Sequence, residues 1–109
     1  MTEDEYLMAQ NNLYQKIAST LIEYTPETWS YIELILKHVV DENNNESLSH
    51  IISNPNLNNE SIMAPEEIYE YTFALYDLFR DYKGPFKKAL IKVYEVDGKW
   101  KFESDYEYA

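Results

Sequence analysis

The chain has 109 residues, a formal net charge of −11 and no cysteine. This length predicts a single domain, residues 1–109, with enough buried surface to fold without disulfides or a structural metal. Without cysteine, disulfides, thiolate zinc sites and cysteine nucleophiles are excluded, and the negative charge argues against nucleic acid or an anionic membrane as the partner.

The acidic residues are concentrated in the first three quarters of the chain. Residues 1–79 hold fourteen acidic and two basic side chains, whereas residues 80–109 hold six acidic and seven basic ones. The N-terminus is acidic where a secretory signal is basic, and no apolar run is long enough to span a membrane, so a cytoplasmic protein without a membrane partner is expected. The charge suits a basic protein partner, although it also serves solubility.

The first predicted element is a helix over residues 4–24. Leu13, Ile17 and Leu21 recur every fourth residue, which is the spacing of one buried helical stripe. Acidic residues open the segment, where the helix dipole favours negative charge. The Thr25-Pro26 pair ends it, because the residue before a proline avoids helical dihedral angles.

Two strands follow, over residues 29–40 and 47–53, because β-branched and aromatic residues are enriched there. The intervening Asp- and Asn-rich run favours a turn. A hairpin centred on Asn44 would place His38 opposite His50. Residues 54–63 are predicted to be a polar connection without regular structure.

The second helix is predicted from Pro65, which suits the first helical position, to Gly84. Strands at 87–96 and 99–108 then form a hairpin, since Asp97-Gly98 is a strong two-residue turn signal. The last strand alternates strictly, and its aromatic side, which contains Trp100 and Tyr108, is expected to meet the helices or cover the sheet. Its charged side is expected to face water.

These elements predict the α+β class, in the order α-β-β-α-β-β. Hairpins separated by helices favour an antiparallel twisted sheet of about four strands, with both helices packed on one face.

The sequence shows no catalytic, cofactor-binding or metal-binding motif, so we expect a protein that is not an enzyme. Two isolated glycines cannot build a phosphate loop or a dinucleotide fingerprint. The run that begins at Asp41 resembles a calcium loop but has Glu46 at the sixth position, where glycine is required. A metal-assisted enzyme that uses His38 and His50 is the least favoured alternative, because no third ligand is apparent.

The exposed face of the second helix is the strongest candidate for a binding surface. Carboxylates recur there at spacings of three and four residues, and no lysine lies among them. Like charges at these spacings destabilise a helix, so an acidic stripe without lysine indicates recognition, unless it is an ordinary solvated face. The stripe contains Glu67, Glu70, Asp77 and Asp81, with Glu66 beside it.

Three segments carry a family resemblance. In order and spacing, LYQKIASTLIEYTPETWSYIELI, EEIYEYTFALYDLFRDY and VDGKWKFESDYEY resemble the YezG/EsaG-like immunity proteins. This resemblance implies a cytoplasmic antitoxin that binds and neutralises a cognate secreted bacterial toxin. It further implies that the toxin is a nuclease domain exported by a type VII system, and a nuclease must be basic to hold nucleic acid. The short, Asn-rich segment DENNNESLSHIISNPNLNN departs from the longer aromatic strands of the family, which leaves contact-dependent inhibition as an alternative delivery route.

On this interpretation, acidic side chains would contact the toxin: Glu66, Glu67, Glu70, Asp77 and Asp81 on the second helix, and Asp41, Glu42 and Glu46 in the turn. Direct binding of nucleic acid is not expected. The alternative from another class is a non-enzymatic adaptor module that self-associates through its aromatic last strand, so a homodimer is a further candidate.

Overall fold

The computed structural model describes residues 1–108 and confirms the α+β class with two helices and an antiparallel sheet. In chain order the elements are α1 (Glu3–Tyr24), β1 (Tyr31–Val40), β2 (Glu46–Asn54), β3 (Glu60–Ile62), α2 (Glu66–Tyr82), β4 (Phe86–Val96) and β5 (Lys99–Tyr108). The strands lie in the order β3-β2-β1-β4-β5, and every neighbouring pair is antiparallel.

The prediction of about four strands in the order α-β-β-α-β-β is wrong, because a fifth strand, β3, lies within the predicted connection. Asn58 and Asn59 have positive φ angles of 54° and 57°, which turn the chain back toward β2. Asparagine adopts this left-handed conformation more readily than most residues. Ile62 then lies opposite Ile52, so β3 adds a three-residue strand to the sheet beside β2.

Both helices cover the same face of the sheet, as predicted. On that face Leu34 of β1 lies between Ile52 of β2 and Ile91 of β4, and all three are buried. Tyr14 of α1 packs against β5, with its ring centroid 4.6 Å from that of Phe102. His50 of β2 bonds to α2. The helices therefore lie side by side. α1 packs toward β5, and α2 crosses the sheet from β2, at His50, to β5, where Phe79 meets Tyr106.

Local hydrogen bonds set the boundaries of α1 close to those predicted. The Thr2 hydroxyl accepts a bond from the Glu5 amide, and the Glu5 carboxylate accepts one from the Thr2 amide, which together form a capping box. At the other end, the hydroxyl of Thr25 donates to the Leu21 carbonyl. These bonds satisfy backbone groups that helix termini otherwise leave without partners.

The register of the β1–β2 hairpin differs from the prediction. His38 lies opposite Leu48, and His50 lies opposite Leu36, so the two histidines are diagonal neighbours and not a direct pair. The Asp41 carboxylate accepts bonds from the backbone amides of Asn43 and Asn45 and closes the turn. The turn is centred on Asn43, one residue earlier than predicted, so Leu36 pairs with His50 and not with Ile52.

The β4–β5 hairpin forms as predicted. Asp97 and Gly98 both have positive φ, 52° and 77°, as a two-residue turn that matches the twist of the strands requires. A bulge between Phe86 and Lys88 then changes the alternation of β4. As a result Phe86 points into the core, beside the ring of Phe79.

The aromatic side of β5 meets the helices along only part of its length. Tyr106 packs against Phe79, and its hydroxyl lies 2.6 Å from that of Tyr14. Burial raises the pKa of Tyr106 well above its usual range. Trp100 and Tyr108, in contrast, remain 37% and 48% exposed. The expectation that the whole aromatic side is covered is therefore wrong for both ends of the strand.

This difference in burial predicts that replacing Phe79 and replacing Trp100 by alanine lower the free energy of unfolding by different amounts. Phe79→Ala should lower the free energy of unfolding by about 3–5 kcal/mol, because Phe79 is 1% exposed and its removal leaves a cavity. Trp100→Ala should cost about 1 kcal/mol or less, since solvent reaches the indole. Urea unfolding of both variants and the wild type measures the difference. A cost for Trp100→Ala as large as that for Phe79→Ala would contradict this assignment.

Candidate functional site

The outer side of α2 carries an acidic face, defined here as the exposed residues Glu66, Glu70, Asp77 and Asp81. At 100° per residue these four positions fall within an arc of about 60°, opposite the buried stripe of the helix. Between Glu66 and Asp81 the helix rises by about 22 Å. The structure thus brings four of the predicted residues together as one elongated surface.

Two exposed aromatic residues that the sequence analysis did not identify lie along one side of this surface. Phe73 adjoins the carboxylates, and Tyr69 lies farther round the helix, with its ring 4.4 Å from that of His50. Phe73 is 40% exposed and Tyr69 is 42% exposed. Phe73 occupies the gap in the acidic face, three residues after Glu70 and four before Asp77. Its position off the apolar stripe was a signal in the sequence that it does not belong to the core.

Glu67 does not belong to the acidic face, although the sequence analysis placed it there. It is half-buried and lies beside the end of α1. There the Glu67 carboxylate, as a hydrogen-bond acceptor and as a negative charge, raises the pKa of Tyr24. Its Oε2 atom is buried without a hydrogen-bond partner among residues 1–108. Glu67 therefore contributes to the boundary between the helices and presents little charge to a partner.

An arginine lies beside the C-terminal half of the acidic face, although no lysine does. Arg80 lies 3.2 Å from Asp77 and 3.2 Å from Asp81. These two carboxylates are therefore partly neutralised. Within the described chain Glu66 and Glu70 form no ion pair, so the strongest uncompensated charge of the face lies in its N-terminal half.

The turn between β1 and β2 contributes one carboxylate to the neighbourhood of α2. Glu46 lies 3.0 Å from Nε2 of His38, and the His38 ring stacks on Tyr76 of α2 at 4.8 Å. Burial, and then the negative charge of Glu46, raise the pKa of Tyr76. The hairpin end thus lies beside the middle of α2, near Asp77.

The other two predicted residues of the turn have separate roles. The Asp41 carboxylate closes the turn and accepts bonds from the amides of Asn43 and Asn45. The bond from the Asn45 amide, followed by the other bonds of the turn, lowers the pKa of Asp41. Glu42 is exposed at the tip. Asp41 is therefore a structural residue of the turn, and Glu42 remains available on its surface.

The two histidines bind different groups. His50 places Nδ1 3.0 Å from the Leu48 carbonyl and Nε2 2.7 Å from the Thr72 hydroxyl of α2. His38, as described above, pairs with Glu46. Across residues 1–108, no three histidine or acidic side chains are grouped closely enough to hold a metal ion.

No protein-family model matches the sequence. The search of curated proteins also finds no match. Neither of the two helices in the described chain is both long and apolar enough to cross a membrane.

The environment of His50 predicts a pH-dependent contribution to stability. Burial lowers the pKa of His50, an effect that its bond to the Leu48 carbonyl opposes. The unfolded chain, with a histidine pKa of about 6.5, therefore takes up a proton more readily than the folded chain. As pH falls through about 6.5, this group should lower the free energy of unfolding.

Comparing wild type with His50→Gln isolates this contribution. Urea unfolding at pH 7.5 and at pH 5.5 should show a larger loss of stability in the wild type than in the variant. His38→Gln provides the matched control, because His38 lies at the exposed hairpin end beside Glu46. Equal losses in the wild type and in His50→Gln would refute the assignment.

Proposed function

We propose that this chain is a cytoplasmic immunity protein that binds a cognate secreted bacterial toxin, a basic nuclease domain, and neutralises it. The acidic face of α2, with Phe73 between Glu70 and Asp77, is the observation that carries the proposal. The resemblance of three segments to the YezG/EsaG-like immunity proteins supports the same conclusion.

The charge of the acidic face matches the surface that a nuclease requires. An enzyme that grips nucleic acid carries lysine and arginine against the phosphates. Glu66 and Glu70 present uncompensated carboxylates to such a surface from one side of a helix. Opposite charges accelerate the encounter and suppress wrong partners, although they contribute less to the final affinity.

Phe73 supplies the apolar anchor that a tight complex needs. Binding energy in protein interfaces is concentrated in a few buried side chains, with aromatic residues prominent among them, surrounded by polar groups that exclude water. Phe73 and the nearby Tyr69 are each about two-fifths exposed, so a partner can cover substantial aromatic area there. The carboxylates then form the polar rim of the same surface.

The core holds this surface in a fixed position before any partner binds. Ile68, Thr72, Leu75 and Phe79 of α2 are buried against the sheet and α1. The Thr72 hydroxyl also bonds to His50. A helix anchored in this way loses little conformational entropy on association, which favours tight binding.

Identification of the partner tests the proposal directly. The chain is expressed with an affinity tag in its native cell, and the copurified protein is identified. The domain obtained should degrade nucleic acid and arrest growth when it is produced alone in a bacterial host. Coexpression of the present chain should restore growth. A partner without toxicity, or a toxic partner against which the chain gives no protection, would refute the proposal.

Neutralising the N-terminal half of the acidic face should slow association with the toxin. The double variant Glu66→Gln/Glu70→Gln removes two unpaired charges and avoids Asp77, whose loss would also disrupt the ion pair with Arg80. The on-rate should fall several-fold at low salt, and its dependence on salt should become weaker. Surface plasmon resonance at two salt concentrations measures both effects.

The matched control is Lys87→Gln/Lys88→Gln on β4, which also neutralises two charges. It should leave the on-rate unchanged or raise it, because it makes the chain more acidic. A decrease of the same size in both double variants would show that the acidic face has no special role.

Truncation of the aromatic anchor should act on the off-rate. Phe73→Ala should weaken toxin binding by at least about 2 kcal/mol, roughly thirtyfold in Kd, if Phe73 is a central contact. The melting temperature should change little, because the ring lies outside the core. Leu57→Ala is a matched control, since Leu57 is 38% exposed in the segment before β3. Wild-type affinity in Phe73→Ala would exclude the residue as an anchor.

A further inference from the structure

The strand β5 forms a long, unpaired edge of the sheet. Its ten residues pair with β4 on one side only, whereas the opposite edge strand, β3, has three residues. An edge strand presents a row of free backbone amides and carbonyls, which another strand can extend. Natural proteins usually shorten, bend or cover such an edge, yet β5 runs the full length of its hairpin.

The charged side chains of β5 lie on the face of the sheet away from the helices, because Phe102 and Tyr106 point toward α1. In chain order the charged residues are Lys99, Lys101, Glu103, Asp105 and Glu107. Two cations are thus followed by anions along one row. The first four members of the row, from Lys99 to Asp105, are complementary to their own reverse.

We propose that β5 pairs antiparallel with β5 of a second copy, with Phe102 opposite Phe102, to form a two-fold dimer with a continuous ten-stranded sheet. In this register Lys99 lies opposite Asp105 of the partner, and Lys101 lies opposite Glu103. The two-fold axis repeats each contact, so four pairs of opposite charge form. Direct cross-strand pairs of opposite charge stabilise a sheet, and like charges in the same position destabilise it.

Neighbouring registers are less favourable. Sliding the partner strand by two residues in one direction places Lys101 opposite Lys101. A shift in the other direction keeps four pairs of opposite charge, Lys99 with Glu107 and Lys101 with Asp105, but adds a repulsive pair by placing Glu103 opposite Glu103. On the helix side, the Phe102 register places Trp100 opposite Ser104 of the partner. The 37% exposed indole would thus lie beside a small side chain.

A second, independent observation concerns the side of α1 that lies above this edge. Lys16 of α1 points toward α2, where its Nζ lies 5.7 Å from the ring centroid of Tyr71. Tyr14 points toward β5. At 100° per residue, the side of α1 beyond Tyr14 and away from α2 contains Asp4, Leu7, Asn11, Gln15, Ala18 and Ile22.

Of those six residues only Asp4, in the first turn, is charged, although the chain as a whole has a net charge of −11. Pairing of β5 with its copy would bring this side of α1 toward the same side of the second α1. A surface with one charged residue per chain limits the repulsion that two acidic chains would otherwise meet. Leu7 is 42% exposed in the single chain and lies on this side.

The dimer would leave the acidic face of α2 accessible. Contacts with His50 and His38 place the first part of α2 over β2 and β1, whereas Phe79 near its C-terminal end packs against Tyr106 of β5. The acidic face lies on the exposed side of α2, away from the sheet, so pairing along the edge of β5 would not cover it. Formation of the dimer therefore does not depend on the proposed function, and it can be tested without a toxin.

Sedimentation equilibrium on the full chain tests the proposal. The wild type should approach twice the 13.0 kDa chain mass as its concentration rises through the micromolar range. Lys99→Glu and Asp105→Lys should each weaken the dimer about tenfold or more, because each turns two symmetric attractive pairs into repulsive ones. Neither side chain forms a hydrogen bond or ion pair within residues 1–108, whereas Glu103 accepts a bond from Tyr94.

Rescue distinguishes a specific register from a general effect of charge. The double variant Lys99→Glu/Asp105→Lys should regain wild-type association, and an equimolar mixture of the two single variants should form a heterodimer. Lys37→Glu is the matched control, because it makes the same change of charge on the same face of the central strand β1. It should leave the equilibrium unchanged.

Several results would overturn the proposal. A wild-type chain that remains monomeric at about 0.5 mM would do so, as would a dimer that both single variants leave intact. Failure of the double variant to rescue would exclude this register. A monomeric wild type whose toxin binding is lost in Lys99→Glu would assign the edge to the toxin. A monomeric chain that still protects against the toxin would refute the dimer and leave the proposed function intact.

Discussion

Burial of the central strands β1 and β4 beneath the two helices is the constraint on which the rest of the structure depends. Leu34 and Leu36 of β1, and Ile91 of β4, have no measurable exposure. Because strand side chains alternate between faces, burying these residues fixes which side of every neighbouring strand points outward. It also orients α2, whose buried stripe faces the sheet, so that Glu70 and Phe73 necessarily point to solvent. The candidate site is a consequence of this packing.

Strong local signals made much of the fold predictable. The Asp97-Gly98 turn and the apolar stripe of α2 each determine one conformation over a short stretch, so the sequence alone located them. The strand β3 was not predictable, because three residues carry no recognisable alternation and their pairing depends on the turn at Asn58 and Asn59. The centre of the first turn was likewise not predictable, because any of the three consecutive asparagines after Glu42 tolerates a left-handed conformation.

The candidate site was predictable where helical spacing alone decides the position of a side chain. Glu66, Glu70, Asp77 and Asp81 lie on the exposed face because they are opposite the apolar stripe. Other features depend on tertiary contacts that spacing does not contain. Glu67 lies at the edge of the exposed arc, and the proximity of α1 half-buries it. Arg80 was visible in the sequence, but only its side-chain direction shows that it pairs with two of the acids.

The acidic and the basic parts of the sequence lie in different parts of the fold. The excess of acidic residues falls on α2 and the hairpin end beside it, while most basic residues belong to β4 and β5 at the other end of the sheet. A basic partner attracted to the exposed side of α2 would therefore approach from above the helix and not along the open edge of β5. In a dimer built through β5, the two acidic faces would remain on the exposed sides of the helices, so each copy could bind one molecule of the proposed toxin independently. Avidity would then arise only if the toxin were itself dimeric and spanned both faces.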